Sequence, residues 1–433
     1  MISGRFSSIG FLLFLVLFLG IGMLPAASIG LAMSGAPAPV AYEVWMIDQS
    51  DSSKDGGGTL YIYDGAALTA DPKSAKAETV DLGDKFAEAC KEAGGYPKRP
   101  HMLFFTKDAK YAILSYVASG HVVFLDAASR APIGCVSLGK NAHAAFPTAD
   151  MKLAIGANIA EKKLVRIWTD YANKKFTINK DTDVVVLSAL EPLLPDASPI
   201  CPITDNKSQF VFVTPRGGGL AVYDITPTPM FLVGTLPPAA VKPAGCGGVQ
   251  IGSTMYINSG GGWPATPLNH DVYAFSTGSL PLLSTPEWIG GRDGGDSHGM
   301  VAISSKYLWS GDRHLNMIDV YDTGNGNIKV GTITLTGDLS QDPAPDLMDA
   351  APDGNYVFAA LRGPNPLTGN NKDVNNAVGS TPGVGVIKVE GGGKSGKLVG
   401  IAAISKMVEE KDKDGNAVKK EKADPHGIQV RQK

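Results

Sequence analysis

Four of the seven histidines stand at equivalent points of a recurring unit: His101, His143, His298 and His426 each begin a short apolar segment. In the other three copies that point is Cys201, Cys246 or Asp346. Imidazole, thiolate and carboxylate converging on one axis are ligands for a transition metal such as copper or zinc. Seven positions drawn at random from this composition would hold about 0.1 histidine, so composition does not explain four in phase. A second set comprises Arg216, Arg313 and Arg362, each six residues after the aromatic residue that opens a second strand, with His314 beside Arg313. Histidines and three guanidinium forks together would form a positive, donor-rich floor suited to a carboxylate, phosphate or sulfur oxyanion. A structural reading stands beside both. Such a histidine can donate to the neighbouring unit's carbonyl, and Asp and Arg can pair between units, locking the assembly. A histidine acting as general base near Asp346 or Asp349 is a further candidate.

The unit that must position these residues is clearest in DSHGMVAISSKYLWSGDRHLNMIDVYDT, residues 296–323. Three short apolar strands separated by polar turns make an antiparallel meander. One meander cannot bury both of its faces, so the unit needs neighbours. These begin at His101, His143, Cys201, Cys246, Asp346 and His426. The last stops after one strand, and its missing strands lie in YEVWMIDQS and GGGTLYIYD near the other end of the chain. A C-terminal strand completing the first blade closes a ring and hides its edges. The expected fold is therefore all-β: a seven-bladed β-propeller with blades at 41–64 plus 424–433, 99–140, 141–190, 198–238, 244–290, 296–338 and 344–406. The innermost strands line the channel and begin at one rim. The insertions 260–269 and 362–383 fall on that rim and are the expected surface for any protein partner. His121, His270 and His314 fall in or just after loops on the same side, so all seven histidines are expected near one mouth.

Fifty-two glycines and 29 prolines suit a chain of tight turns. A net charge of −3 without a basic aromatic stripe excludes a nucleic-acid surface. Residues 1–36, with Arg5 before an apolar run, read as an export signal that places the domain in the periplasm or outside the cell. Left uncleaved, that segment would be the sole membrane contact. Cys201 and Cys246 are expected close together, as a disulfide or as ligands; Cys90 lies in a helix-like insert and Cys135 on an outer strand. Residues 409–421 read as a protruding hairpin. The chain carries no Gly-x-Ser-x-Gly elbow, P-loop, Rossmann fingerprint or Cys-x-x-Cys site.

The stretches Pro425-His426-Gly427-Ile428-Gln429-Val430, Pro352-Asp353-Gly354-Asn355-Tyr356-Val357 and Asn316-Met317-Ile318-Asp319-Val320 resemble the repeat of the YVTN family of seven-bladed propellers. The resemblance spans nearly everything after residue 41. It implies the fold and little of the chemistry, because propellers are a shared scaffold. The wider group includes nitrous oxide reductase and thiocyanate dehydrogenase, whose copper-binding histidines surround the channel mouth, lactonase-type propellers, and amine-dehydrogenase subunits that act as scaffolds. This chain has no copper electron-transfer domain and carries Cys, Cys and Asp at three of the seven ring positions, which argues against a multinuclear copper cluster of that kind. The reading is an exported propeller that binds a small anion or a metal at one mouth, with periplasmic oxidoreductase as a candidate activity. Its competitor is a non-catalytic scaffold.

Overall fold

The computed structural model describes residues 40–50, 57–261 and 268–433. The expected signal segment, positions 51–56 and positions 262–267 of the 260–269 insertion lie outside the described residues. Among the described residues no helix is long and apolar enough to cross a membrane.

The chain forms seven antiparallel blades, each a meander whose first strand in sequence lines the channel in blades 2 to 7. In blade 1 the innermost strand is Pro425–Gln432, which pairs with Tyr42–Asp48 in the register Val44 to Val430 and Met46 to Ile428. The ring is thus closed by the two ends of the domain. Every residue of Tyr42–Asp48 is buried, because a blade inside the ring has a neighbour on each face and both side-chain sets are covered. Between blades the core is filled by interdigitating large side chains, as where Phe124 stacks on Phe176 with ring centroids 3.9 Å apart.

The details extend the sequence reading. Blade 1 has an outer strand, Ala77–Asp81, beyond the expected limit at 64, and a short helix Gly65–Ala70 leads to it. The outer edge of blade 3 is split, with Lys175–Thr177 and Val184–Val186 pairing with different halves of Lys163–Asp170. Met407–Lys411 and Ala417–Glu421 form the protruding hairpin. All four cysteines are bridged. Cys201–Cys246 ties blade 4 to blade 5, and Cys90–Cys135, a pair not foreseen from the sequence, ties the helical insert to the outer strand of blade 2.

Two features turn the ring residues into the channel. The innermost strands are irregular at the ring position: ladder pairing shifts between Pro100 and Met102, between Ser297 and Met300, and between Pro345 and Met348. His101, His298 and Asp346 sit in those gaps, and a bulge of this kind re-aims a side chain away from the pleat. The second feature is a glycine directly after the ring residue. A Cβ on Gly427 would lie 2.8 Å from His101 O, one on Gly247 2.4 Å from His298 O, and one on Gly299 2.4 Å from Asp346 O. Each of these glycines lets its blade approach the next blade's ring residue more closely than any side chain permits.

Candidate functional site

At the mouth lies a cavity of about 390 Å³ lined by His101, His143, His298 and His426, with Arg313 and Asp296 beside them. Residues 366–370 and Lys372 of the seventh-blade insertion form one wall. The structure therefore brings together the four ring histidines and leaves the other three elsewhere. His121 bonds Ser119 Oγ through Nδ1 at 2.9 Å. His270 is buried between blades 5 and 6, its Nδ1 3.4 Å from Asp312 and its Nε2 3.7 Å from Asp319. His314 is half-buried and does not line the cavity.

The hydrogen bonds of three imidazoles determine their tautomers. His143 Nδ1 lies 2.8 Å from Ile200 O, and His426 Nδ1 lies 3.1 Å from His101 O. A carbonyl only accepts, so both Nδ1 atoms carry the proton. His101 Nδ1 lies 2.7 Å from Gln49 Oε1. The Gln49 amide is oriented by its other end, where Nε2 donates to the Asp424 carboxylate at 3.0 Å. His101 is thus also the Nδ1–H tautomer. The Nε2 atoms of all three rings are lone pairs, and those of His101 and His143 face each other across 3.0 Å. The pair has no proton between the two nitrogens, a buried arrangement that a cation would satisfy.

The fourth ring, His298, brings Nε2 to 3.1 Å from Asp346 Oδ1 without hydrogen-bond alignment, which leaves it a buried, unsatisfied nitrogen. His426 Nε2 stands 3.6 Å from Asp346 Oδ2. One ligand atom each from His298, Asp346 and His426 falls within 4.8 Å of the others. Burial, which disfavours charged imidazole, lowers the pKa of each ring histidine: to about 4 for His143 and about 3 for His426, and well below the usual range for His101 and His298. All four are neutral at physiological pH. Burial alone would raise the Asp346 carboxyl, but His426, His298, Arg362 and Arg313 around it hold it well below the usual carboxylate range.

The arginines are not the anion-binding forks that the sequence suggested. Arg313 pairs with Asp296 through Nε at 2.5 Å and reaches Asp346 Oδ1 through Nη1 at 3.2 Å. Arg362 donates to Asp346 Oδ2 at 2.5 Å and to Asp424 at 2.6 and 3.0 Å. Arg216 is engaged by Asp196 at 2.6 Å, away from the cavity. Around the axis two buried guanidiniums meet three buried carboxylates, and Lys372 on the cavity wall offsets the remaining negative charge. Cys201 and Cys246 are likewise not thiolate ligands, since both are spent on the disulfide, with Cα atoms 5.1 Å apart.

The second amino group of each arginine fastens the 362–383 insertion: Arg313 Nη2 donates to Gly369 O at 2.8 Å, and Arg362 Nη2 to Thr368 O at 3.0 Å. Gln49, Asp296 and Asp424 complete the site and were missed in the sequence reading. A signal for the two acids exists, because Asp296 and Asp424 each stand two residues before a ring histidine.

No family model matches the sequence, and no curated protein matches it. Solved structures do. The periplasmic gluconolactonase PpgL of Pseudomonas aeruginosa is similar at 12% identity over 90% of this chain and 99% of that one, with a TM-score of 0.56. A putative 6-phosphogluconolactonase of Bacteroides uniformis is similar at 14% identity over 90% and 99%, with a TM-score of 0.55. The β-propeller domain of Cps50 (Swd1) from Myceliophteria thermophila follows at 11% identity over 70% and 88%, with a TM-score of 0.50. At these identities the likeness shows the propeller fold.

Proposed function

We propose that this propeller is an exported metal-binding protein that holds one copper or zinc ion at the channel mouth through the Nε2 atoms of His101, His143 and His426, with His298 as a further ligand. The 3.0 Å separation of the His101 and His143 lone pairs carries the reading. Two nitrogens that far apart, each about 2.1 Å from one ion, subtend about 90° there, the angle between neighbouring ligands in tetragonal copper; opening by a few tenths of an ångström reaches the tetrahedral angle of zinc. Asp346, whose oxygens face Nε2 of His298 at 3.1 Å and of His426 at 3.6 Å, would stand beside these two imidazoles as a carboxylate ligand.

The locking role is fulfilled at the same time, and by different atoms. His143 and His426 bond the next blade through Nδ1, which leaves Nε2 for the ion. A small anion, the other ligand class read from the sequence, would then reach the site only through the metal or Lys372, because the arginines are committed. We place the domain in the periplasm or outside the cell on the strength of residues 1–36, and group it with YVTN-type propellers on the three stretches quoted above. The test is the metal content of untagged protein purified under native conditions. About one copper or zinc per chain is expected, and the His101→Ala, His143→Ala double variant should be empty. A metal-free wild type that takes up neither ion on addition would end this reading.

A further inference from the structure

We infer that Gln49 is the positioning residue of the metal site, because it decides which nitrogen of His101 faces the ion. This rests on the metal reading above. His143 and His426 have their tautomers set by backbone carbonyls, whose polarity cannot change. His101 alone depends on a side-chain amide, and an amide has two ends. With Oε1 toward His101, as found, Nδ1 donates and Nε2 offers a lone pair. With the amide turned over, Nδ1 would have to accept. The proton would then sit on Nε2 and donate to His143 Nε2 across the 3.0 Å gap. That second arrangement satisfies both imidazoles with each other and closes the site to a metal.

The choice between the two states is made by Asp424. Its Oδ2 accepts Gln49 Nε2 at 3.0 Å, and turning the amide would bring a carbonyl against a carboxylate. Arg362 keeps that carboxylate in place with two bonds, and the peptide N–H of Leu367 adds a third at 2.7 Å. Thr368 Oγ1 touches both ends of the amide, at 3.0 Å from Nε2 and 3.1 Å from Oε1, so its hydroxyl imposes no preference. The chain of control runs from Arg362 through Asp424 and Gln49 to His101, and so links the seventh-blade insertion to the ion. Gln49 lies in the first blade, 52 positions from His101 in sequence.

The experiment compares Gln49→Leu and the Gln49→Glu, Asp424→Asn double variant with wild type by calorimetric zinc titration of the metal-free proteins. Leucine removes the acceptor, the Nε2–H tautomer of His101 becomes the stable one, and zinc affinity should fall roughly 10- to 100-fold, as for other outer-sphere partners of ligand histidines. Glutamate combined with Asp424→Asn keeps an acceptor toward Nδ1 and gives the other glutamate oxygen an amide donor, and this double variant should bind within about threefold of wild type, a margin below half the kcal/mol that separates a tenfold change. Equal zinc affinity in wild type and Gln49→Leu, or a Gln49→Glu, Asp424→Asn variant as weak as leucine, would overturn the inference while leaving the metal site standing. A wild type that binds no zinc or copper would remove the metal site and this inference with it.

Discussion

Asp346 accepts Arg362 Nη1 at 2.5 Å through the oxygen that also faces His426. Both partners are fully buried, and the carboxylate is shared with Arg313. Removing one member of such a cluster leaves buried charge uncompensated. Asp346→Asn should therefore lower unfolding free energy by about 3–5 kcal/mol. A lower urea midpoint with an unchanged slope is the expected observation; a midpoint equal to wild type would mean that the cluster is not the lock between blades 6 and 7.

The ring histidines give the metal-free protein a defined pH response. Their native pKa values fall from an ordinary 6.5 to about 4 in His143 and about 3 in His426. Between pH 6.5 and those values the unfolded chain binds protons that the native state refuses, so stability drops as pH falls. Each such histidine contributes about 1.4 kcal/mol per pH unit within its window. Asp349 acts in the opposite sense: burial raises it to about 6, so its protonation favours the native state as pH falls below 6. Burial raises Asp48, Asp296 and Asp424 in the same sense as Asp349, but all four histidines are displaced downward from 6.5, and the net slope just below that pH is loss toward acid. Melting temperatures from pH 7.5 to 4.5 check this, and a flat or rising profile toward acid would contradict it. Asp349→Asn should make the acid loss steeper.

Deleting residues 424–433 removes the innermost strand of blade 1 and, with Asp424, an anchor of Arg362. Two unpaired edges then appear in a closed ring. The truncated protein should lose the single cooperative transition of the full chain in thermal unfolding. An unchanged transition would exclude the observed closure.

The repeat was legible because its chemistry is local: strands of alternating apolar residues, turn residues between them, and a ring residue in constant phase. The ring histidines followed from that phase alone. Their arginine neighbours misled because a guanidinium at a predicted mouth looks available until its partners are known. Asp296 pairs with Arg313 of its own blade, 17 positions on, but Asp424 stands 62 positions from Arg362 and meets it only in the folded ring. Gln49 carried no signal for the same reason, since its contact with His101 exists only after the two chain ends have met. The Cys90–Cys135 bridge depended on where the insert packs, which periodicity does not report. The proline before His101, Asp346 and His426 was a usable clue to the irregular inner strands, because proline in a sheet is confined to strand starts, edges and bulges.

Each disulfide closes a separation of 45 residues. Loop entropy for that length is worth about 4 kcal/mol. Replacing Cys201 and Cys246 by alanine should cost a large part of that stability, read as a lower denaturant midpoint, and should leave the bound metal per chain unchanged because neither sulfur is a ligand. Loss of metal at full retention of fold would assign the sulfurs a direct role.

The central claim is that His101 and His143 present their lone pairs to one ion. Its most direct measurement is the zinc affinity of metal-free protein against that of the His143→Ala variant, at pH 7.5 where all four imidazoles are neutral. The three-histidine centre predicts one site per chain in wild type and an affinity at least about 100-fold weaker in the variant, an energy near that of one lost ligand bond after solvation. Equal affinities in the two proteins, or no site in wild type, would contradict it.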